Sequence, residues 1–208
     1  MPRKKLKNKR KSSFNRNFIG AWNYIKESES YIAVVLGFFT LFFILGFVFP
    51  YIAPEEVLQP ILDEIKKIIE ELIKKTEGKG FFGLWWFIFS HNSSIGFISI
   101  ITGFLFSIIP IFFLVSNGLS IGLISSLVTA EAGFFSLWRL LPHGIFEIPA
   151  VILSFSLGIK FGAFIFNKHL WKEFKVRLLN SLRSFFLIII PLFLIASFIE
   201  TLLIFVFK

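Results

Sequence analysis

The sequence predicts an all-α fold: a polytopic transmembrane helical bundle of about five spans, with one amphipathic helix outside the bilayer. Of its 208 residues 55% are hydrophobic and 31 are Phe, whereas soluble domains are about 45–50% apolar. Five stretches reach the roughly 20 mostly apolar residues that cross a hydrocarbon core. These predicted spans are residues 31–49, 95–115, 119–138, 144–166 and 185–207.

The chain divides into a basic N-terminal tail, residues 1–30, and a membrane domain, residues 31–208. Residues 1–26 carry nine Lys and Arg residues and no acid. Such a run could bind nucleic acid through its phosphates. Because it precedes a membrane domain, we instead predict a disordered cytoplasmic tail that contacts anionic lipid headgroups and binds no nucleic acid.

The distribution of charge predicts the orientation in the membrane. Residues 167–184 carry five bases against one acid, Glu173, and four predicted spans separate them from the basic tail. Positive segments remain cytoplasmic, so both belong inside and the chain is a multi-pass protein of the cell membrane. The loop 54–80 holds seven acids and five lysines and falls outside.

This outer loop contains the amphipathic helix, at about residues 60–77. Its apolar residues recur about every 3.5 positions, Pro60 suits a first helical turn and Gly78 ends the element. The apolar stripe must lie on the outer leaflet, on a second copy of the chain or on an extracytoplasmic partner. The aromatic run 81–89 is predicted to follow along the outer surface.

Small residues predict where spans pack closely. Two pairs have small-xxx-small spacing, Gly118 with Gly122 and Gly158 with Gly162, which lets helix backbones approach. We expect packing within the chain, with a homo-oligomer seam as the alternative. Asn117 and Gly118 are also predicted to form a tight inner turn between the second and third spans.

Polar residues of the spans are predicted to cluster on the outer side. Ionisable groups in a bilayer are costly and usually functional. Those placed in the outer third of the spans or at their outer ends are His91, Glu131, Arg139, His143, Glu147 and Glu200. Lys160 falls near the inner face, where we expect it to extend to the cytoplasmic headgroups.

The segment 141–149, LPHGIFEIP, is the most informative part of this cluster. Pro142 suits the first turn of a helix, which places His143 and Glu147 on one face within reach of each other. One interpretation is a buried hydrogen bond between them, with Arg139 neutralising a carboxylate.

Two further interpretations of this cluster remain. One is a proton site or a metal site, for which the candidate ligands are His143, Glu147, Glu131 and His91, since the chain has no cysteine. The other is a polar pocket that binds a partner or a solute. No resident cofactor is predicted, and the H-E-x-x-H motif of metalloproteases is absent.

These motifs resemble the stage II sporulation protein M family of integral membrane proteins over residues 32–208. The resemblance rests on Asn92, the Asn117-Gly118-xxx-Gly122 segment and, above all, residues 141–150 with Pro142, His143, Gly144 and Glu147. The family's namesake is a five-span, non-enzymatic anchor for a peptidoglycan-degrading complex in spore-forming bacteria. The five spans of the namesake agree with the count reached above, and the sporulation role does not transfer. What the resemblance carries over is the motif itself, with Asn117 and Gly118 beside residues 141–150.

We accordingly expect a non-enzymatic membrane scaffold or partner subunit. Its expected partners are the lipid bilayer and other membrane or extracytoplasmic proteins. The first alternative is a transporter or channel component with an outward-facing polar pocket around His143 and Glu147. The second alternative is an intramembrane metal-dependent enzyme.

Overall fold

The computed structural model describes residues 2–133, 135, 137 and 141–206, and the side chains of residues 13–68, 70–133, 135, 137 and 144–206. All regular structure in this part of the chain is helical, which confirms the predicted all-α class. The α-helices are α1 Pro2–Lys26, α2 Glu29–Ile52, α3 Glu55–Thr76, α4 Phe81–Ile101, α5 Ile108–Ala132, α6 Leu141–Gly162, α7 Leu170–Ser184 and α8 Ile190–Val206.

Five helical segments of the described chain are long and apolar enough to cross a membrane, as predicted. They are Glu29–Ile52, Phe81–Phe104, Ile108–Ala132, Gly144–Phe166 and Leu170–Val206. The last combines α7 and α8, which are joined by a wide π-helical turn at Phe185–Ile189. The chain is therefore an integral membrane protein with a polytopic helical bundle.

The five spans have two ends, which we call the α1 side and the α3 side. Helix α2 runs from α1 to α3, α4 returns from α3, and the turn at Thr102–Phe104 leads into α5. Helix α6 packs against α4 and α8, and α2 packs along α5. At the α3 side, the Phe81 ring of α4 contacts Phe198 and Phe205 of α8, with ring centroids 5.5 and 5.6 Å away.

Glycines allow the closest contacts between the spans, within the chain as predicted. On α5, a Cβ at Gly122 would meet the carbonyl oxygen of Phe43, and Gly118 faces Phe42, both on α2. On α6, Gly158 lies against the carbonyl group of Ser99 and Gly162 against that of Gly103. Two interfaces, α2 with α5 and α4 with α6, thus depend on residues that lack a side chain.

The predicted boundaries of the second and third spans are wrong. The aromatic run 81–89 begins the second span as the first turns of α4 rather than lying along the surface, and His91 falls inside that helix. Asn117 and Gly118 lie within α5, not in a turn. The chain turns instead at Phe106 and Ser107, whose φ angles of 54° and 60° are left-handed.

This turn escaped prediction because it contains no charge. No charged residue occurs from Ile95 through Val115, and the few polar residues there are Ser and Thr, so hydropathy alone does not divide the stretch. Ser107 stabilises the turn by donating a hydrogen bond from Oγ to the Ile159 carbonyl of α6 at 3.2 Å. That contact links residues distant in sequence, and no local pattern indicates it.

The N-terminal tail is helical over Pro2–Lys26, so the prediction of a disordered tail is wrong. Helix α1 packs against α7, burying Ala21, Tyr24 and Ile25. The Ser184 hydroxyl of α7 donates to the Ala21 carbonyl at 3.1 Å. A tertiary contact therefore stabilises a helix whose local sequence is dominated by charge repulsion.

Helix α3 is the predicted amphipathic helix, but it begins at Glu55, so Pro60 lies inside it and not in its first turn. Glu55 and Glu56 occupy the first turn and Lys74 and Lys75 the last. This placement of charge favours the helix dipole. Four residues of its apolar stripe are exposed within the chain: Val57, Ile68, Leu72 and Ile73. Their covering surface, lipid or protein, remains a prediction.

Candidate functional site

A cavity of about 380 Å³ lies at the α3 side of the bundle. Helices α3, α4, α6 and α8 all contribute to its wall. The residues that line it are Leu72, Thr76, Leu84, Phe87, Ile88, His91, Asn92, Glu147, Glu200 and Ile204. The cavity therefore combines apolar walls with five side chains that can form hydrogen bonds.

Helical spacing explains how these residues converge. On α4, Leu84, Phe87, Ile88 and His91 follow one another at intervals of three, one and three residues, which places them on one face. Glu147 belongs to the second turn of α6, and Glu200 to the last turns of α8. All of these positions fall in the half of each span nearest to α3.

The two carboxyl groups differ in their surroundings. Asn92 donates a hydrogen bond from Nδ2 to Oε1 of Glu147 at 3.2 Å, joining α4 to α6. Glu200 comes from α8 and lines the same cavity. Both side chains are partly buried, where an ionised carboxylate is costly unless a cation or hydrogen-bond donors stabilise it.

No Lys or Arg side chain of the described chain lines this cavity. Its charged and polar members among those residues are Thr76, His91, Asn92, Glu147 and Glu200. The cavity consequently favours a ligand that brings positive charge or several hydrogen-bond donors. Two carboxyl oxygen pairs and one hydroxyl could accept from such a group.

The structure brings together only part of the predicted cluster. Glu147, Glu200 and His91 share the cavity, whereas Glu131, at the C-terminal end of α5, is exposed and does not line it. Arg139 and the side chain of His143 lie outside the described residues, so the predicted bond between His143 and Glu147 stays a prediction.

The other residues of the predicted signature do not appear among the described residues that line the cavity. Asn117 donates to the Phe113 carbonyl one turn earlier, at 2.8 Å, and Gly118 packs against α2. Gly144 lies in the first turn of α6, where an added Cβ would make ordinary contact with Ile148 at 3.5 Å. Pro142 also lies in that turn, but its side chain is outside the described part.

Asn92 is the site residue that sequence analysis did not assign to the cluster. Its signal lies in an amide placed inside a membrane span, which is costly unless it finds a partner. The error arose because the second span was predicted to begin at Ile95. With α4 beginning at Phe81, Asn92 belongs to the interior of the span and requires an acceptor.

The described side chains contain no group of three His, Cys, Asp or Glu residues that could hold a metal ion. Of the four candidate ligands, Glu147 and His91 line the cavity and Glu131 does not. The fourth candidate, His143, is outside this comparison. The polar lining of the described part comprises two carboxyl groups, one amide, one imidazole and one hydroxyl.

A second polar cluster lies at the α1 side, around Lys160 of α6. The Lys160 ammonium donates to Ser28 Oγ at 2.9 Å and lies 3.8 Å from the centroid of the Tyr24 ring. Lys160 is only 9% exposed, so it does not extend to the headgroups as predicted. The partners lie 132 and 136 residues away along the chain.

Tyr24 completes this second cluster. Its hydroxyl donates to the Arg177 carbonyl at 3.5 Å, and Arg177 Nη1 donates to the Lys160 carbonyl at 2.6 Å. Burial raises the pKa of the Tyr24 phenol, whose hydroxyl is protonated at neutral pH even at its ordinary pKa of about 10. The cluster therefore ties α1, α6 and α7 together.

Comparison with protein families decides the assignment. The family model described as Stage II sporulation protein M matches residues 35–203, which include all five spans almost entirely. The chain belongs to the stage II sporulation protein M family. Comparisons with curated proteins and with solved structures each found no match.

Membership in the stage II sporulation protein M family agrees with the resemblance inferred from residues 141–150. The match covers the residues that line the carboxyl cavity except Ile204. In the second cluster it covers Lys160 and Arg177, whereas Tyr24 and Ser28 precede residue 35. Helix α1 therefore lies outside the matched region and contacts residues of α6 and α7 that lie inside it.

Proposed function

We propose that the chain is a non-enzymatic membrane scaffold or partner subunit that binds another membrane or extracytoplasmic protein at its α3 side. The observation that carries this proposal is the cavity with Glu147 and Glu200 on its wall and, among the described residues that line it, no Lys or Arg. A partner that inserts a Lys or Arg side chain would bring positive charge and hydrogen-bond donors to these carboxyl groups.

The packing beneath the cavity favours binding over passage. One turn beyond Asn92, a Cβ at Gly96 would lie 2.8 Å from Ser154 Oγ and 3.0 Å from the Phe193 ring. Buried residues then fill the bundle toward α1: Ile100, Leu157, Phe185 and Ile189. A pocket at one end above a packed core suits a fixed docking site better than a translocation path.

We further propose that the N-terminus is cytoplasmic and the cavity faces outward. The basic segments 1–26 and 167–184 both lie at the α1 side, while the acid-rich α3 lies at the other end. The positive-inside rule then assigns α1 to the cytoplasm.

This orientation predicts an asymmetric labelling pattern in intact cells. The chain lacks cysteine, so a single Lys74→Cys change on α3 should react with an impermeant maleimide. A Lys172→Cys change on α7 should react only after the membrane is made permeable. The reverse pattern would invert the topology and place the cavity in the cytoplasm.

The docking proposal predicts position-specific crosslinks. A photoreactive benzoylphenylalanine at Phe87, which lines the cavity, should form a discrete protein adduct in native membranes. The matched control is its neighbour Trp86, which is 62% exposed outside the cavity. Replacing both Glu147 and Glu200 by Gln should remove the Phe87 adduct, because the cavity then loses its negative charge.

Two outcomes of the crosslinking experiment would contradict a docking site here. One is equal adduct formation at Phe87 and Trp86. The other is a Phe87 adduct that persists when both carboxyl groups are replaced. Mass spectrometry of the adduct identifies the partner and its contacting segment.

A transporter or channel component is the second candidate, favoured by the volume of the cavity. At about 380 Å³, it falls within the range of small-molecule sites. This candidate predicts no protein adduct from Phe87, together with thermal stabilisation of the purified chain by a small organic cation. That stabilisation should disappear when Glu147 and Glu200 are replaced by Gln.

A further inference from the structure

Helix α1 carries an exposed apolar face beside its buried one. Phe14, Phe18 and Trp22 follow at intervals of four residues, so they lie along one side of the helix. Their exposed fractions are 58%, 42% and 46%. The Phe14 and Phe18 rings stack with centroids 6.4 Å apart, and Ile19 adds a fourth exposed apolar side chain.

Contacts with the bundle hold this helix at the membrane boundary. The first span, α2, begins at Glu29, three residues after α1 ends. Ala21 and Tyr24 contact α7 through the hydrogen bonds of Ser184 and Arg177, while Ser28 accepts from Lys160 of α6. These contacts therefore fix α1 against α7 and beside the α1-side end of α6.

The surroundings of α1 have the composition of a membrane interface. Trp171 and Phe166, near the α1-side ends of α7 and α6, are 79% and 85% exposed, and exposed aromatic residues collect at the headgroup level. The Lys26 ammonium lies 5.9 Å from the centroid of the Trp22 ring. An aromatic residue with a cation above it suits the boundary between acyl chains and headgroups.

Charge identifies the kind of lipid. Residues 1–26 carry nine bases and no acid, and residues 167–184 add five bases against one acid. We propose that α1 is an interfacial helix that inserts its Phe14, Phe18 and Trp22 face into the bilayer and binds anionic lipid headgroups through its basic residues. The occupant of this face is the bilayer of anionic lipid that surrounds the spans.

The test uses the full chain in nanodiscs, with a fluorophore on a single introduced cysteine. Phe18→Cys places the probe on the proposed lipid face. Asn23→Cys is the control, because Asn23 is exposed and lies about 140° around the same helix from Phe18. The bilayers contain phosphatidylcholine with or without phosphatidylglycerol, and quenchers are either attached to lipid or dissolved as iodide.

In bilayers that contain phosphatidylglycerol, the lipid-attached quencher should act several-fold more strongly at position 18 than at position 23. Iodide should show the opposite preference. Removing phosphatidylglycerol, or replacing Lys9, Arg10 and Lys11 by Gln, should reduce this contrast because both changes weaken the attraction to the surface.

Three results would overturn the proposal. Strong iodide quenching at both positions would place the face in water. Protection of position 18 from both quenchers would indicate a protein covering, such as a second copy. If the difference in quenching between positions 18 and 23 is the same without phosphatidylglycerol and with the Gln substitutions, anionic lipid has no role.

Discussion

Gly122→Ala should destabilise the protein strongly, whereas Gly37→Ala should not. A Cβ at Gly122 would meet the Phe43 carbonyl oxygen and lie 2.8 Å from the Phe47 nitrogen. Both atoms belong to the backbone of α2 and cannot rotate away, so α2 and α5 must separate. Overpacking of this kind costs about 1–3 kcal/mol, which thermal unfolding in detergent would detect.

Gly37 is the matched control because it lies in the partner helix of the same interface. Nothing lies within 4 Å of a Cβ at that position, and Ala favours a helix over Gly by about 1 kcal/mol in water. Gly37→Ala should therefore leave the unfolding temperature unchanged or raise it. Equal losses for both variants would mean that α2 and α5 do not pack through Gly122.

Tyr24→Ala should release α1 from the bundle. Tyr24 is 6% exposed and lies beneath the Lys160 ammonium, so the change removes a packed ring and a cation–π partner. Truncating a buried aromatic side chain costs about 3–5 kcal/mol. The readouts are thermal stability in detergent and trypsin cleavage within the basic segment, which should become faster.

Two controls separate this effect from a general loss of apolar area. Trp22→Ala removes a large but 46% exposed ring two residues away and should change stability in detergent little. Tyr24→Phe keeps the ring and removes only the hydroxyl, which should cost about 0.5–1.5 kcal/mol. Unchanged cleavage in Tyr24→Ala would show that α1 is held by other contacts.

The sequence predicts the membrane architecture well where charge delimits a span. The first and fourth spans, with charged or strongly polar residues near their ends, agree closely with Glu29–Ile52 and Gly144–Phe166. The second and third do not, because the turn at Phe106 and Ser107 that separates them contains no charged residue. The left-handed backbone conformation of these two residues ends one helix and begins the next. A hydropathy profile does not report backbone conformation.

The sequence predicts most of the residues of the candidate site, but it does not predict which of their side chains contact each other. Glu147, Glu200 and His91 could be assigned to one end of the bundle because the positive-inside rule and the helical rise fix their depth. Depth does not determine which side chains face each other, and so Asn92 was missed. Lys160 shows the same limit, since its partner Ser28 comes from a segment predicted to be disordered.

The wide π-helical turn at Phe185–Ile189 reduces the angle by which the buried residues of the fifth span drift around the helix axis. Buried residues recur at every fourth position along this 37-residue helical segment. They are Ser181, Phe185, Ile189, Phe193, Ser197 and Thr201.

A regular α-helix turns about 40° too far over four residues. Over the five intervals this stripe would rotate by about 200°, carrying Thr201 toward the lipid. The π turn accommodates one additional residue and cancels about 100° of that rotation. This halves the rotation, and the buried stripe runs from Ser181, which contacts Tyr24 of α1, to Thr201, next to which Glu200 lines the cavity.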